Sequence, residues 1–177
     1  NRNGKWYVML STGTSFDNKE DLWTPNGTPY GIWDGSASRI RNADVNGDGK
    51  PDIVIGPNAT GRWYVLLNTG ASFQDKNAWT PDTIFGSWSS ATDRIRNVDV
   101  NGDGRADILL GPDASGNWFV MRSTGTSFDY NNGVPWITGA YGSWDGAAAR
   151  IRSADVDGDG KADIFVRDWL GPAPSIT

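Results

Sequence analysis

A nine-residue pattern of oxygen-bearing side chains occurs three times: Asp44-Val-Asn-Gly-Asp-Gly-Lys-Pro-Asp52, Asp99-Val-Asn-Gly-Asp-Gly-Arg-Ala-Asp107 and Asp155-Val-Asp-Gly-Asp-Gly-Lys-Ala-Asp163. Each places Asp or Asn at positions 1, 3, 5 and 9, and Gly at 4 and 6. Hard cations such as Ca²⁺ take roughly six to eight oxygens at about 2.3–2.6 Å, and alternate side chains around a glycine-rich turn can supply them. The expected ligand side chains are Asp44, Asn46, Asp48 and Asp52; Asp99, Asn101, Asp103 and Asp107; Asp155, Asp157, Asp159 and Asp163. Lys50, Arg105 and Lys161 at position 7 would each give a backbone carbonyl. Three calcium ions are expected, one per loop. The alternative is a set of Asn-Gly and Asp-Gly turns without metal, in which the gathered carboxylates would repel one another.

An EF-hand begins similarly, but it needs a bidentate Glu at position 12 and flanking helices. Position 12 here is Ile55, Leu110 or Val166. The first cassette runs straight into Asp52-Ile-Val-Ile-Gly-Pro57, a short β-type apolar run closed by a turn signal. The loops are therefore expected between strands.

What positions these loops is also repeated. Asp44 to Asp99 spans 55 residues and Asp99 to Asp155 spans 56. Trp6, Trp63 and Trp118 open equivalent apolar runs, each followed by a Ser/Asn-Thr-Gly-x-Ser turn and a Phe (Phe16, Phe73, Phe128). Trp23, Trp79 and Trp136 come next. A third family follows in Gly- and Ser-rich surroundings: Trp33, Trp88 and Trp144. Each of these segments ends in Arg-Ile-Arg before the loop. The phase fits a single domain, 1–177, of three units at about 1–57, 58–112 and 113–168 plus a short tail. Four short strands per unit are expected, near Trp6–Leu10, Phe16–Trp23, Arg39–Val45 and Asp52–Ile55 in the first, with no helical periodicity. Such repeats read as blades of an all-β, propeller-like domain. Closed propellers usually have about four to eight blades. Three units therefore imply an unusual packing, a pairing of two chains or part of a longer chain, with complementary edge strands at the two ends.

The chain has 177 residues and a formal charge of −5. Ten of its 21 acidic residues lie in the three cassettes, so three divalent cations would more than neutralise it. No basic stripe suggests nucleic acid. There is no Cys for disulfide or thiol chemistry, and no His, the usual general base and zinc ligand. No apolar run approaches the ~20 residues of a membrane-spanning helix. The chain opens on Asn1 rather than Met, as a mature, trimmed or partial chain would. Asn26-Gly-Thr and Asn58-Ala-Thr are glycosylation sequons. With millimolar calcium available outside cells, they suggest an extracellular or secreted setting.

The cassette, its following strand and the Thr-Gly-x-Ser-Phe turn resemble the FG-GAP/VCBS repeat that builds integrin-type propellers. The resemblance covers nearly the whole chain. It extends to the calcium-containing β-propeller lectins of mushrooms, the oyster mushroom type first and the Psathyrella type second. The former implies galactose-type sugars, the latter N-acetylglucosamine. The cassette is specific for the repeat and for calcium, and much less so for function.

Sugar recognition needs an aromatic face beneath a pyranose and a few fixed polar groups. The preferred platform is the third tryptophan family. Its members are Trp33 with Asp34, Tyr30 and Arg39; Trp88 with Ser89, Phe85 and Arg94; and Trp144 with Asp145, Tyr141 and Arg150. The alternative is that these tryptophans pack between blades. The arginines could equally pair with loop carboxylates. Catalysis normally needs one asymmetric constellation, whereas these features recur; a non-enzymatic, multivalent binder of glycans, glycoproteins or cell-surface sugars is expected. An integrin-like protein-binding module, or an accessory domain of a larger enzyme, is the competing reading.

Overall fold

The computed structural model describes residues 6–17, 21–24, 37–81, 85, 88, 92–139 and 151–167. The first cassette forms the bend of a hairpin between β3 (Ile40–Ala43) and β4 (Asp52–Ile55), with Ile40 opposite Ile55 and Ala43 opposite Asp52. β4 pairs with β5 (Tyr64–Asn68), and β5 with β6 (Phe73–Ala78). The Thr69–Ser72 turn between them is closed by Thr69 N–H donating to Ser72 O at 2.9 Å and Ser72 N–H donating to Thr69 Oγ1 at 3.0 Å. The result is an antiparallel sheet ordered β3-β4-β5-β6.

The pattern repeats in β7 (Ile95–Val98), β8 (Asp107–Leu110), β9 (Phe119–Ser123) and β10 (Phe128–Asp129), ordered β7-β8-β9-β10. Two half-sheets flank these. β1 (Tyr7–Val8) pairs with β2 (Asp21–Leu22), and β11 (Ile151–Ala154) pairs with β12 (Asp163–Val166) around the third cassette. The molecule is all-β in its described strands, with antiparallel four-stranded sheets of the propeller type.

The sheets do not coincide with the expected units. The first takes β3 and β4 from 1–57 but β5 and β6 from 58–112. The reason is the connections. A short turn through Gly56 and Pro57 returns the chain beside β4, whereas the longer segment after β6 crosses to the next sheet before β7.

Core side chains lie between consecutive sheets. Val45, Val54, Trp63 and Val65 meet Ile108, Leu110, Met121 and Phe128. Leu109, Trp118 and Val120 meet Ile151, Ile164 and Val166. On the other side, Ile53, Ile55, Leu66 and Phe73 meet Trp6, Val8 and Trp23. Successive strand residues face opposite ways, so β4 and β8 supply one layer with even positions and the next with odd ones. Both strands are buried throughout, each large apolar side chain contributing about 1.5–3 kcal/mol of transfer free energy. Among the described residues, no helix is long and apolar enough to cross a membrane.

Candidate metal centre

Each cassette is held open by its own backbone. Asp44 Oδ1 accepts Gly47 N–H at 2.7 Å and Oδ2 accepts Gly49 N–H at 2.7 Å. Asn46 Oδ1 accepts Asp48 N–H, and Asp48 Oδ1 accepts Lys50 N–H. The same bonds recur from Asp99, Asn101 and Asp103 and from Asp155, Asp157 and Asp159. Positions 4 and 6 need Gly because their φ angles are near +80° (79° at Gly47, 81° at Gly49), which Cβ-bearing residues rarely adopt.

This geometry turns the side-chain oxygens of positions 1, 3 and 5 toward one another. In the third loop, ligand oxygens of Asp155, Asp157 and Asp159 all lie within 4.8 Å. The first two loops carry Asn46 and Asn101 at position 3, which keeps an oxygen and removes a charge. An all-oxygen donor set on a glycine turn fits a hard cation such as Ca²⁺. Position 7 contributes a side chain as well: Lys50 pairs with Asp48 at 3.1 Å, Arg105 with Asp103 and Lys161 with Asp159. Those cations hold the Asp48 and Asp159 carboxyls below the usual range, chiefly through the side-chain hydrogen bond.

Position 9 has a role that spacing did not disclose. Asp52 and Asp107 are fully buried. Asp52 Oδ2 accepts Val45 N–H at 3.0 Å and Oδ1 accepts Asn68 N–H at 2.8 Å. Asp107 takes Val100 N–H at 3.1 Å and Ser123 N–H at 2.7 Å. Each carboxylate ties its loop to the end of a neighbouring strand. Burial pushes both carboxyls up, Asp107 to about 6. Asp163 is exposed and accepts only Val156 N–H, at 3.0 Å, among the described residues.

The loops also contact one another. Asp44 O accepts Ala106 N–H, and Asp99 O accepts Ala162 N–H, both at 2.7 Å. A Cβ on Gly47 would lie 3.2 Å from Arg105 Cγ and one on Gly102 3.3 Å from Lys161 Cγ, so Arg105 and Lys161 each cover the preceding loop.

The expected sugar platform fares differently. Trp33, Asp34, Tyr30, Ser89, Trp144, Asp145, Tyr141 and Arg150 lie outside the described residues. Trp88 and Phe85 are buried, at 6% and 1% exposure, and both pack edge-on against Phe119. The middle repeat therefore follows the packing alternative: its ring fills space beside a neighbouring strand and offers no open face. Arg94 stands over Trp88 at 5.4 Å and donates to Pro112 O at 3.0 Å, rather than pairing with a loop carboxylate. Arg39 is half-buried, and its carbonyl accepts Gly56 N–H. The sequon residue Asn26 is outside the described residues, while Asn58 Oδ1 accepts N–H groups of Thr60 and Arg62.

Repeated four-stranded sheets, each headed by an oxygen-rich glycine loop, define a repeat module of the β-propeller type. A family model for the FG-GAP-like repeat matches residues 44–93 and 99–166, and the chain belongs to that family. No curated protein matches the chain.

Proposed function

We propose that this module is a calcium-stabilised, multivalent carbohydrate-binding lectin for galactose- or N-acetylgalactosamine-type glycans, without catalytic activity. The observation that supports it is the repetition itself. The loop, its backbone bonds and the turn beside it recur at each unit, and repeated weak sites raise avidity where a single asymmetric centre would be needed for turnover. Calcium is assigned a structural part, with Asp44, Asn46 and Asp48 and their counterparts holding it. The sugar contacts are assigned to Trp33, Asp34 and Arg39 and to Trp144, Asp145 and Arg150, with Tyr30 and Tyr141 beside them. The middle repeat is left out, because Trp88 and Phe85 are buried. The galactose preference rests on the likeness to mushroom lectins, with N-acetylglucosamine as the other sugar. An extracellular setting accompanies this reading.

A glycan array in millimolar calcium tests it. Binding competed by free galactose or N-acetylgalactosamine, and lost in Trp33→Ala/Trp144→Ala without a change in melting temperature, is the expected result. A blank array on folded protein in calcium overturns it, in favour of a protein-binding adhesion module or an accessory domain.

A further inference from the structure

Four large apolar residues are exposed that have buried counterparts two repeats away. Met9 (54%) and Phe16 (68%) correspond to Met121 (0%) and Phe128 (3%). Val156 (61%) and Phe165 (40%) correspond to Val45 and Val54, both 0%. Phe165 lies in β12, Val156 in the loop between β11 and β12, and Met9 and Phe16 between β1 and β2. Among the described residues, β12 is bonded only to β11 and β1 only to β2.

The complete sheets show what these edges lack. β4 meets β5 with Ile53 opposite Leu66, Val54 opposite Val65 and Ile55 opposite Tyr64. β8 meets β9 with Ile108 opposite Met121, Leu109 opposite Val120 and Leu110 opposite Phe119. Carried onto the half-sheets, that register puts Ile164 opposite Met9, Phe165 opposite Val8 and Val166 opposite Tyr7. It would also bring Ser11 N–H to Asp163, as Asn68 and Ser123 N–H meet Asp52 and Asp107.

The volume matches as well. A hollow of about 370 Å³ lies between Leu109, Trp118 and Val120 on one side and Ile164 and Val166 on the other. Between the two complete sheets the corresponding space is filled by Met121 and Phe128, the latter 5.1 Å from Trp79 and 6.4 Å from Trp63. An apolar cavity of ~150 Å³ holds benzene, so this hollow has room for the Met9 and Phe16 side chains. Trp118 and the exposed Trp136 stand where Trp63 and Trp79 stand one repeat earlier.

We propose that a second copy of this chain fills it. β1–β2 of each copy adds to β12 of the other, making two composite four-stranded sheets, and each copy's third metal loop receives its last backbone donor from the partner. Pairing within one chain would close a ring of three blades, below the usual four to eight. Two chains give six, by a two-fold exchange in which both copies use the same surfaces. Phe165 and Val156 of one copy then cover Ile53 and Ile55 of the other, as Val54 and Val45 cover the next sheet within a chain. This assembly is independent of what the module binds.

The test is the solution mass in calcium together with a cross-link at the inferred register. In the first sheet, Trp79 N–H donates to Trp63 O and Gly56 N–H to Arg39 O, away from the β4–β5 seam. Val54 and Val65 therefore form a pair without mutual hydrogen bonds, where Cα atoms are about 4.5 Å apart, within disulfide reach. Val8 and Phe165 would form the same pair between copies, in a chain with no native Cys. Light scattering is expected to give twice the 19.2 kDa chain mass, and oxidised Val8→Cys/Phe165→Cys a reducible covalent dimer absent from either single variant. A monomeric mass for the unsubstituted chain overturns the proposal. So does a disulfide formed within one chain, or a dimer that the paired cysteines fail to link.

Discussion

Replacing Asp107 with Ala isolates the position-9 carboxylate. Its two oxygens hold Ser123 N–H at 2.7 Å and Val100 N–H at 3.1 Å, with no exposure to solvent. Hydrogen bonds to charged groups contribute about 1.5–3 kcal/mol each, and an orphaned buried donor costs about 1–3 kcal/mol. Ser123 is itself buried and its Oγ–H donates to Val45 O in the neighbouring sheet, so its N–H cannot readily turn to water. Val100 is only half-buried and recovers part of its loss. Against this stands relief of the carboxylate's own burial, the effect that pushes its pKa to about 6. The net loss is about 2–4 kcal/mol, read as a lower urea midpoint at unchanged slope. The measurement is made in calcium and again in chelator. A backbone bridge needs no cation, so the loss persists in both. A loss confined to calcium would assign the residue to the metal instead, and a loss below about 1 kcal/mol in both would refute the bridge. Asp163→Ala is the companion: among the described residues its exposed carboxylate takes a single N–H, and any larger cost reports the partner strand.

Chelation with EDTA is expected to lower the melting temperature, and Asp44→Ala, Asp99→Ala or Asp155→Ala to blunt that response by removing a ligand and the acceptor of three or more loop N–H groups; an unchanged melting temperature on chelation would refute structural calcium. Gly111→Ala should destabilise by about 1–3 kcal/mol in urea denaturation, because its Cβ would sit 2.8 Å from the Trp118 ring at a φ of +151°. Trp88→Ala should cost about 3–5 kcal/mol as a core truncation. A fully stable Trp88→Ala that merely loses sugar binding would return this residue to the platform.

The strands and loops were legible because their signals are local. Asp44-x-Asn-Gly-Asp-Gly fixes a turn through backbone bonds and two positive-φ glycines, and the flanking apolar tetrapeptides have room only for short buried strands. The family followed from the same residues. Two things were not legible. The sheet boundary falls inside each unit because strand partners are chosen by connection length, and the repeat period reads the same wherever a blade is cut. The fate of Trp88 depends on Phe119, which lies in a different sheet strand with no local sequence relation to it. Gly and Ser around a tryptophan suggested a solvent-facing ring, yet small neighbours serve equally well where an indole must settle against packed strands. Asp52 and Asp107 show the reverse case. Ligand spacing explained them fully, so nothing pointed to the second strand that each carboxylate reaches.

The loops carry opposing demands that only a row of them satisfies. On the calcium proposal a loop gathers oxygens for a cation, and without one the carboxylates repel. Lys50, Arg105 and Lys161 relieve part of that repulsion from within, and the stems of Arg105 and Lys161 rest on the preceding loop. Arg105 lies across Gly47 while Ala106 N–H donates to Asp44 O; Lys161 lies across Gly102 while Ala162 N–H donates to Asp99 O. The glycine at position 4 thus serves its own turn and makes space for the next repeat's cation. In the first two loops the carboxylate at position 9 then fastens the loop to the strand that begins the following unit. Charge compensation, blade stacking and strand closure are therefore carried by the same nine residues. That is why the cassette recurs almost unchanged while the tryptophan segments around it take different environments.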